Sequence, residues 1–155
     1  MKNYIALLMI CLTFFIETGF DNYQTLILSN TKITAKENIL RYEVKLKTKD
    51  GSPLESKFDY QGHKIHGFEL AVKPSEPLAE LMELDKKSKL TKMCPHTIGS
   101  DTDYPNELVL NVEYIIKKGS DPRKVEKLAK EESTLFIFDG ANKIKVLSLK
   151  GQNGE

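Results

Sequence analysis

The amino-acid sequence predicts a mainly β protein: an antiparallel β-sandwich with one or two short helices. Three observations lead there. Apolar side chains recur with a period of two in several separate stretches, turn pairs such as Asp50-Gly51 and Asp139-Gly140 stand between them, and only the stretch after Asp121-Pro122 has a clear helix start. An α+β roll, with one sheet and two helices, is the alternative. The 155 residues, 40% hydrophobic and 29% charged, suit one globular domain with a single buried core.

The first twenty residues set the expected compartment. Lys2 gives a short positive start, and Tyr4 to Ile16 is a thirteen-residue run in which only Thr13 is polar, ended by Glu17. A bilayer core needs about 20 apolar residues, so this run suits the apolar centre of an export signal better than a membrane span. Residues 1–20 therefore read as an export signal or, if retained, an N-terminal anchor. Residues 21–150 read as the folded domain, and 151–155 as a frayed tail. Cys11 lies inside the leader, preceded by Leu8-Met9-Ile10, where Ile10 occupies the place a lipidated cysteine's small neighbour would take. Removal of the leader leaves Cys94 as the only thiol, which excludes an internal disulfide. No Asn-x-Ser/Thr sequon occurs, which fits a bacterial source.

Along the domain, Tyr23 to Ser29 reads as a first strand that continues to Thr34 after an irregularity at Asn30. Residues 38–48 alternate Leu40, Tyr42, Val44 and Leu46 with Arg41, Glu43, Lys45 and Lys47, the pattern of a strand buried on one face. Ser56 to Tyr60 reads as a short edge strand, and Lys64 to Val72 as a better one carrying Phe68, Leu70 and Val72. Residues 76–88 place Leu78, Leu81 and Met82 at helical spacing after Ser75, so a short helix is expected there. The same letters also alternate as Leu78, Met82 and Leu84. Residues 89–106, with Pro95, Gly99 and Pro105, read as a long loop.

The last third is clearer. Glu107 to Lys117 puts Leu108, Leu110, Val112, Tyr114 and Ile116 on one face of a central strand. Asp121-Pro122 opens a helix with Val125, Leu128 and Ala129 as its apolar stripe and Glu126 and Lys130 as an ion pair. Leu135 to Phe138 is apolar on both faces, and the Asp139 to Asn142 turn leads into a final strand, Lys143 to Leu149. Many short strands with turns between them resemble an immunoglobulin-like sandwich. The resemblance is architectural, since the chain has no Trp and lacks the inter-sheet cysteine pair.

Charge limits the partners. The formal net charge is +1, and arginine occurs only at Arg41 and Arg123, which argues against nucleic acid. A membrane contact is expected only through the N-terminal segment if it is uncleaved. His63, His66, Cys94 and His96 gather the metal-capable side chains, with Met93 as a soft auxiliary; imidazole and sulfur suit copper or zinc. A nucleophilic Cys94 with His96 as base lacks an orienting third group. The acidic run Asp101 to Glu107 lacks the glycine and later glutamate of a calcium loop. No catalytic residue and no resident cofactor is assigned. The favoured reading is a noncatalytic module, secreted or held in the cell envelope or periplasm, that binds a protein or envelope component. Its contact surface is placed in Pro74 to Asn106, where Leu81, Met82 and Tyr104 would be displayed. An envelope copper or zinc protein is the alternative.

Overall fold

The computed structural model describes residues 26–54, 56, 67–101 and 104–150. The leader, the strand expected over 56–60 apart from Ser56, the start of the strand expected at 64, and the tail 151–155 lie outside the described residues. Within them the chain is mainly β, with two antiparallel sheets, two short helices and no closed barrel. In chain order the elements are β1 (Leu26–Lys36), β2 (Ile39–Thr48), β3 (Phe68–Lys73), α1 (Glu76–Ala79), β4 (Pro95–Asp101), β5 (Glu107–Ile115), α2 (Pro122–Glu132), β6 (Thr134–Asp139) and β7 (Asn142–Ser148). One sheet has the order β1-β2-β5-β4 and the other β3-β6-β7.

Period-two alternation decides which side chains meet. Leu40, Tyr42, Val44 and Leu46 of β2 lie on one face with Leu108, Leu110, Val112 and Tyr114 of β5, and all eight are buried. Phe68, Leu70 and Val72 of β3 join Leu135 and Ile137 of β6 from the second sheet in the same core cluster. The opposite face of the first sheet carries Arg41, which bonds Glu113 and Glu43 at 3.2 Å each, and Lys45 beside Glu107 at 2.5 Å. These partly exposed pairs organise the solvated face but are worth little individually. The irregularity expected near Asn30 is present as a register shift between Leu28 and Asn30.

Helix α2 starts where the sequence indicates. Asp121 caps it by accepting the Arg123 N–H at 3.0 Å, and Pro122, which has no N–H to satisfy, occupies the first turn. Its Val125 and Ala129 are buried, and the helix packs on β1 and β2. The β6–β7 hairpin turns at Gly140, whose φ of +58° favours a residue without Cβ.

Two expectations need correction. The helix over 76–88 stops after one turn at Ala79, because Met82 and Leu84 enter strand-like bridges with Ile116 and Met93. The long loop over 89–106 contains β4, which pairs with β5. Glu107 to Ile115 is internal to its sheet, as expected of a central strand, and Ile116 continues it as an isolated bridge.

Two buried tyrosines tie the layers together. The Tyr42 hydroxyl lies 2.7 Å from Ser133 Oγ, at the junction of α2 and β6. The Val72 N–H of β3 donates to the Tyr114 hydroxyl of β5 at 3.0 Å. The rings meet edge to face, with centroids 6.3 Å apart. Burial disfavours their phenolates, raising Tyr114 to about 12 and Tyr42 well above its ordinary value.

Tyr114→Phe would leave the buried Val72 N–H without its acceptor, so it should cost about 1–3 kcal/mol in urea unfolding with an unchanged m-value. Because the folded state retains the tyrosine protons that the unfolded chain releases near pH 10, their contribution is full below pH 10 and falls as pH rises towards the Tyr114 value. Absorbance titration at alkaline pH should therefore show a tyrosinate component that appears together with loss of the fold.

Candidate functional site

Of the sequence-selected metal candidates, Cys94 and His96 fall within the described residues. His63 and His66 lie outside the described residues. Cys94 stands at the entrance to β4, half-buried, with Sγ making only a weak contact to the Pro95 carbonyl at 4.0 Å. Its backbone is held firmly. The Cys94 N–H donates to Glu83 at 2.8 Å, the Glu83 N–H to Ile115 at 2.9 Å, and the Ile115 N–H to Cys94 at 3.1 Å, closing a ring of three main-chain bonds. His96 is exposed at the register shift between Pro95 and Thr97. Met93, expected as a soft auxiliary ligand, is fully buried in the core. Among the described residues no three His, Cys, Asp or Glu side chains form a group that could hold a metal ion.

Of the proposed contact residues, Tyr104 is 61% exposed, Leu81 packs half-buried against the core, and Met82 is only 2% exposed. Met82 is therefore a core residue, pulled inward by its bridge to Ile116. Beside it lies an open depression of about 570 Å³ lined by Ala79, Glu80, Met82, Glu83, Leu84 and Lys117. A second, of about 340 Å³, runs over the charged face of α2. Neither encloses a set of converging polar groups of the kind that orients a small ligand.

The sheet edges differ more informatively. An edge strand offers unpaired main-chain groups that another strand can join, and proteins usually block them. On β1 the Ala35 N–H donates to Glu126 Oε2 at 2.9 Å, and Lys145 Nζ donates to the Leu26 carbonyl at 2.6 Å. Both ends of that edge are thus stoppered by charged side chains from α2 and β7. On β3 the Val72 N–H is taken by Tyr114 from the facing sheet. The β7 edge carries Lys143 and Lys145.

The fourth edge, β4, carries no lysine. From His96 to Ser100 it contains no Lys, Arg, Asp or Glu, and six of its seven residues are exposed. Ile98 pairs with Val112, so it shares Val112's inward face, yet it is 53% exposed. The second sheet has three strands where the first has four, and its edge strand β3 packs on both β5 and β4. On the opposite face Asn111 lies across Gly99, where an added Cβ would meet Asn111 Oδ1 at 2.9 Å. Sequence reading missed this edge because it took residues 89–106 as loop. The available signal was the charge-free run from Thr97 to Ser100 in a chain rich in lysine.

No family model, curated protein or solved structure matches the chain. Among the described residues no helix is long and apolar enough to cross a membrane.

Two outcomes follow. Cys94→Ser should change unfolding free energy by no more than about 0.5 kcal/mol, since the thiol is half-buried, its hydrogen bond to the Pro95 carbonyl is weak, and the backbone ring is untouched. Glu126 is held below its ordinary value of 4.5, first by Lys130 at 2.5 Å and then by the Ala35 N–H. Its contribution is present above pH 4.5 and is lost as pH falls through the depressed value. Glu126→Gln should therefore lose less stability than the wild type on acidification below pH 4.5, measured by denaturant midpoints across the acid range.

Proposed function

We propose that this chain is an immunoglobulin-like β-sandwich that works as a noncatalytic interaction module, with the β4 edge as the element that meets its partner. The strand order supports the fold assignment. Sheets β1-β2-β5-β4 and β3-β6-β7 correspond to the A-B-E-D and C-F-G sheets of constant-type immunoglobulin domains. Helix α2 then occupies the connection between the fifth and sixth strands. The work of the missing inter-sheet disulfide falls to close packing around Tyr42 and Tyr114 and to their two hydroxyl contacts.

The observation that carries the function is the exposed β4 edge, free of charged residues from His96 to Ser100, in a molecule whose other edges are capped or lysine-bearing. Strand addition needs main-chain groups to bond and adjacent side-chain pockets to select, and Ile98 supplies an apolar contact beside that edge. The module is proposed to act in the cell envelope or outside the cell, on the strength of Lys2 and the apolar run from Tyr4 to Ile16. The partner is then a protein or another envelope component presenting an extended segment.

Ile98→Lys tests the assignment without disturbing the core, because the side chain is already half-exposed. In affinity capture from the native envelope fraction, the variant should recover at least tenfold less of the specific partner than the wild type, with an unchanged thermal midpoint. Equal recovery by both forms would remove β4 as the contact element.

A further inference from the structure

We propose that the occupant of the β4 edge is the β4 edge of a second copy of this chain, paired antiparallel about a two-fold axis through Ile98. This rests on β4 being the interaction edge, and it names the partner.

Self-pairing of an edge opposes each residue with its mirror position, so like charges near the axis repel. In a pairing centred on Ile98, Thr97 faces Gly99 of the second copy, and the register shift at His96 brings Pro95, which shares the inward face of Tyr114, opposite Ser100, which shares that of Leu110. No Lys, Arg or Glu lies in β4, and its one carboxylate, Asp101, stands at the strand end away from the axis. The other three edges are less suited to the same operation. A β7 pairing brings Lys143 and Lys145 together with their copies, β1 has its Ala35 and Leu26 groups already bonded, and β3 has given its Val72 N–H to Tyr114.

The Ile98 side chains supply the apolar centre. Each points to the inward face of its own sheet, where the second sheet leaves it 53% exposed, and on the axis they cover one another. Closure favours a second copy over an open chain of copies. A two-fold contact uses the same patch on both partners and stops at two. The resulting eight-stranded sheet ends at both sides in β1, where the Ala35 N–H and the Leu26 carbonyl are already bonded by Glu126 and Lys145. One pairing thus removes the open edge from both molecules and creates no new one.

The test uses the full chain, with sedimentation velocity over a hundredfold range of concentration for the wild type and Ile98→Lys, and circular dichroism as the folding control. A disulfide trap adds position: Ile98→Cys is made in a Cys11→Ser, Cys94→Ser background, with Thr97→Cys in the same background for comparison. Directly opposed residues of an antiparallel pair have Cβ atoms about 4.5–5.5 Å apart, near enough for a disulfide after slight adjustment. The expected results are a concentration-dependent wild-type dimer, a dissociation constant raised at least tenfold by Ile98→Lys, and an interchain disulfide on mild oxidation for Ile98→Cys but not for Thr97→Cys. A wild-type monomer at every concentration overturns the proposal, as does a dimer indifferent to Ile98→Lys, which would place association elsewhere, for instance in the N-terminal segment. If the chain is monomeric while Ile98→Lys still abolishes partner capture, the self-pairing fails and the edge reading survives. If Ile98→Lys changes neither association nor capture, both fail.

Discussion

The bond from the Val72 N–H to the Tyr114 hydroxyl is the contact on which the arrangement of the two sheets depends. Val72 belongs to an edge strand of the smaller sheet and Tyr114 to an internal strand of the larger one, so the bond fixes one layer over the other. Hydrophobic burial alone is non-directional and would tolerate sliding of the sheets. A buried donor with a single acceptor does not, because a shift leaves both groups unsatisfied in a low-dielectric interior. Tyr42 and Ser133 apply the same constraint at the junction of α2 and β6, and the edge-to-face contact of the rings couples the two bonds.

That placement also decides what is left open. With β3 drawn toward β5, its Val72 N–H is taken by the tyrosine that holds it, while Ile98 of β4 stays half-exposed on the inward face. Helix α2 lies on β1 and β2, and its Glu126 closes part of the β1 edge. Lys145 reaches from β7 to the first carbonyl of β1 and closes the other end. The exposed side of β4 is thus a consequence of layer geometry. A surface isoleucine is ordinary by itself. Ile98 is informative because it shares a face with the buried Val112 and sits in an edge stretch, His96 to Ser100, with no charged residue.

Much of the fold was legible wherever one face of an element is buried. Alternation located β2 and β5, Asp121-Pro122 located α2, and the Asp139 to Asn142 turn located the last hairpin. The reading failed at β4 because its inward position, Ile98, is not covered, so the strand has no apolar face for alternation to reveal. It failed after α1 because Leu78, Leu81 and Met82 fit a helix by spacing, while tertiary bridging to Ile116 and Met93 won. Composition did not reveal the candidate site. Cys94 and His96 drew attention as reactive residue types, whereas the edge became apparent only when strand order and exposure were known together.

Amide hydrogen exchange under native conditions tests the central claim most directly, since it reads which edge groups are held. At high dilution, the Val72 and Ala35 amides should be protected by Tyr114 and Glu126, while edge-facing amides between Thr97 and Ser100 should exchange much faster. Val72 and Ala35 amides exchanging as freely as those of β4 would contradict the account, because the edges of the two sheets would then be equally open.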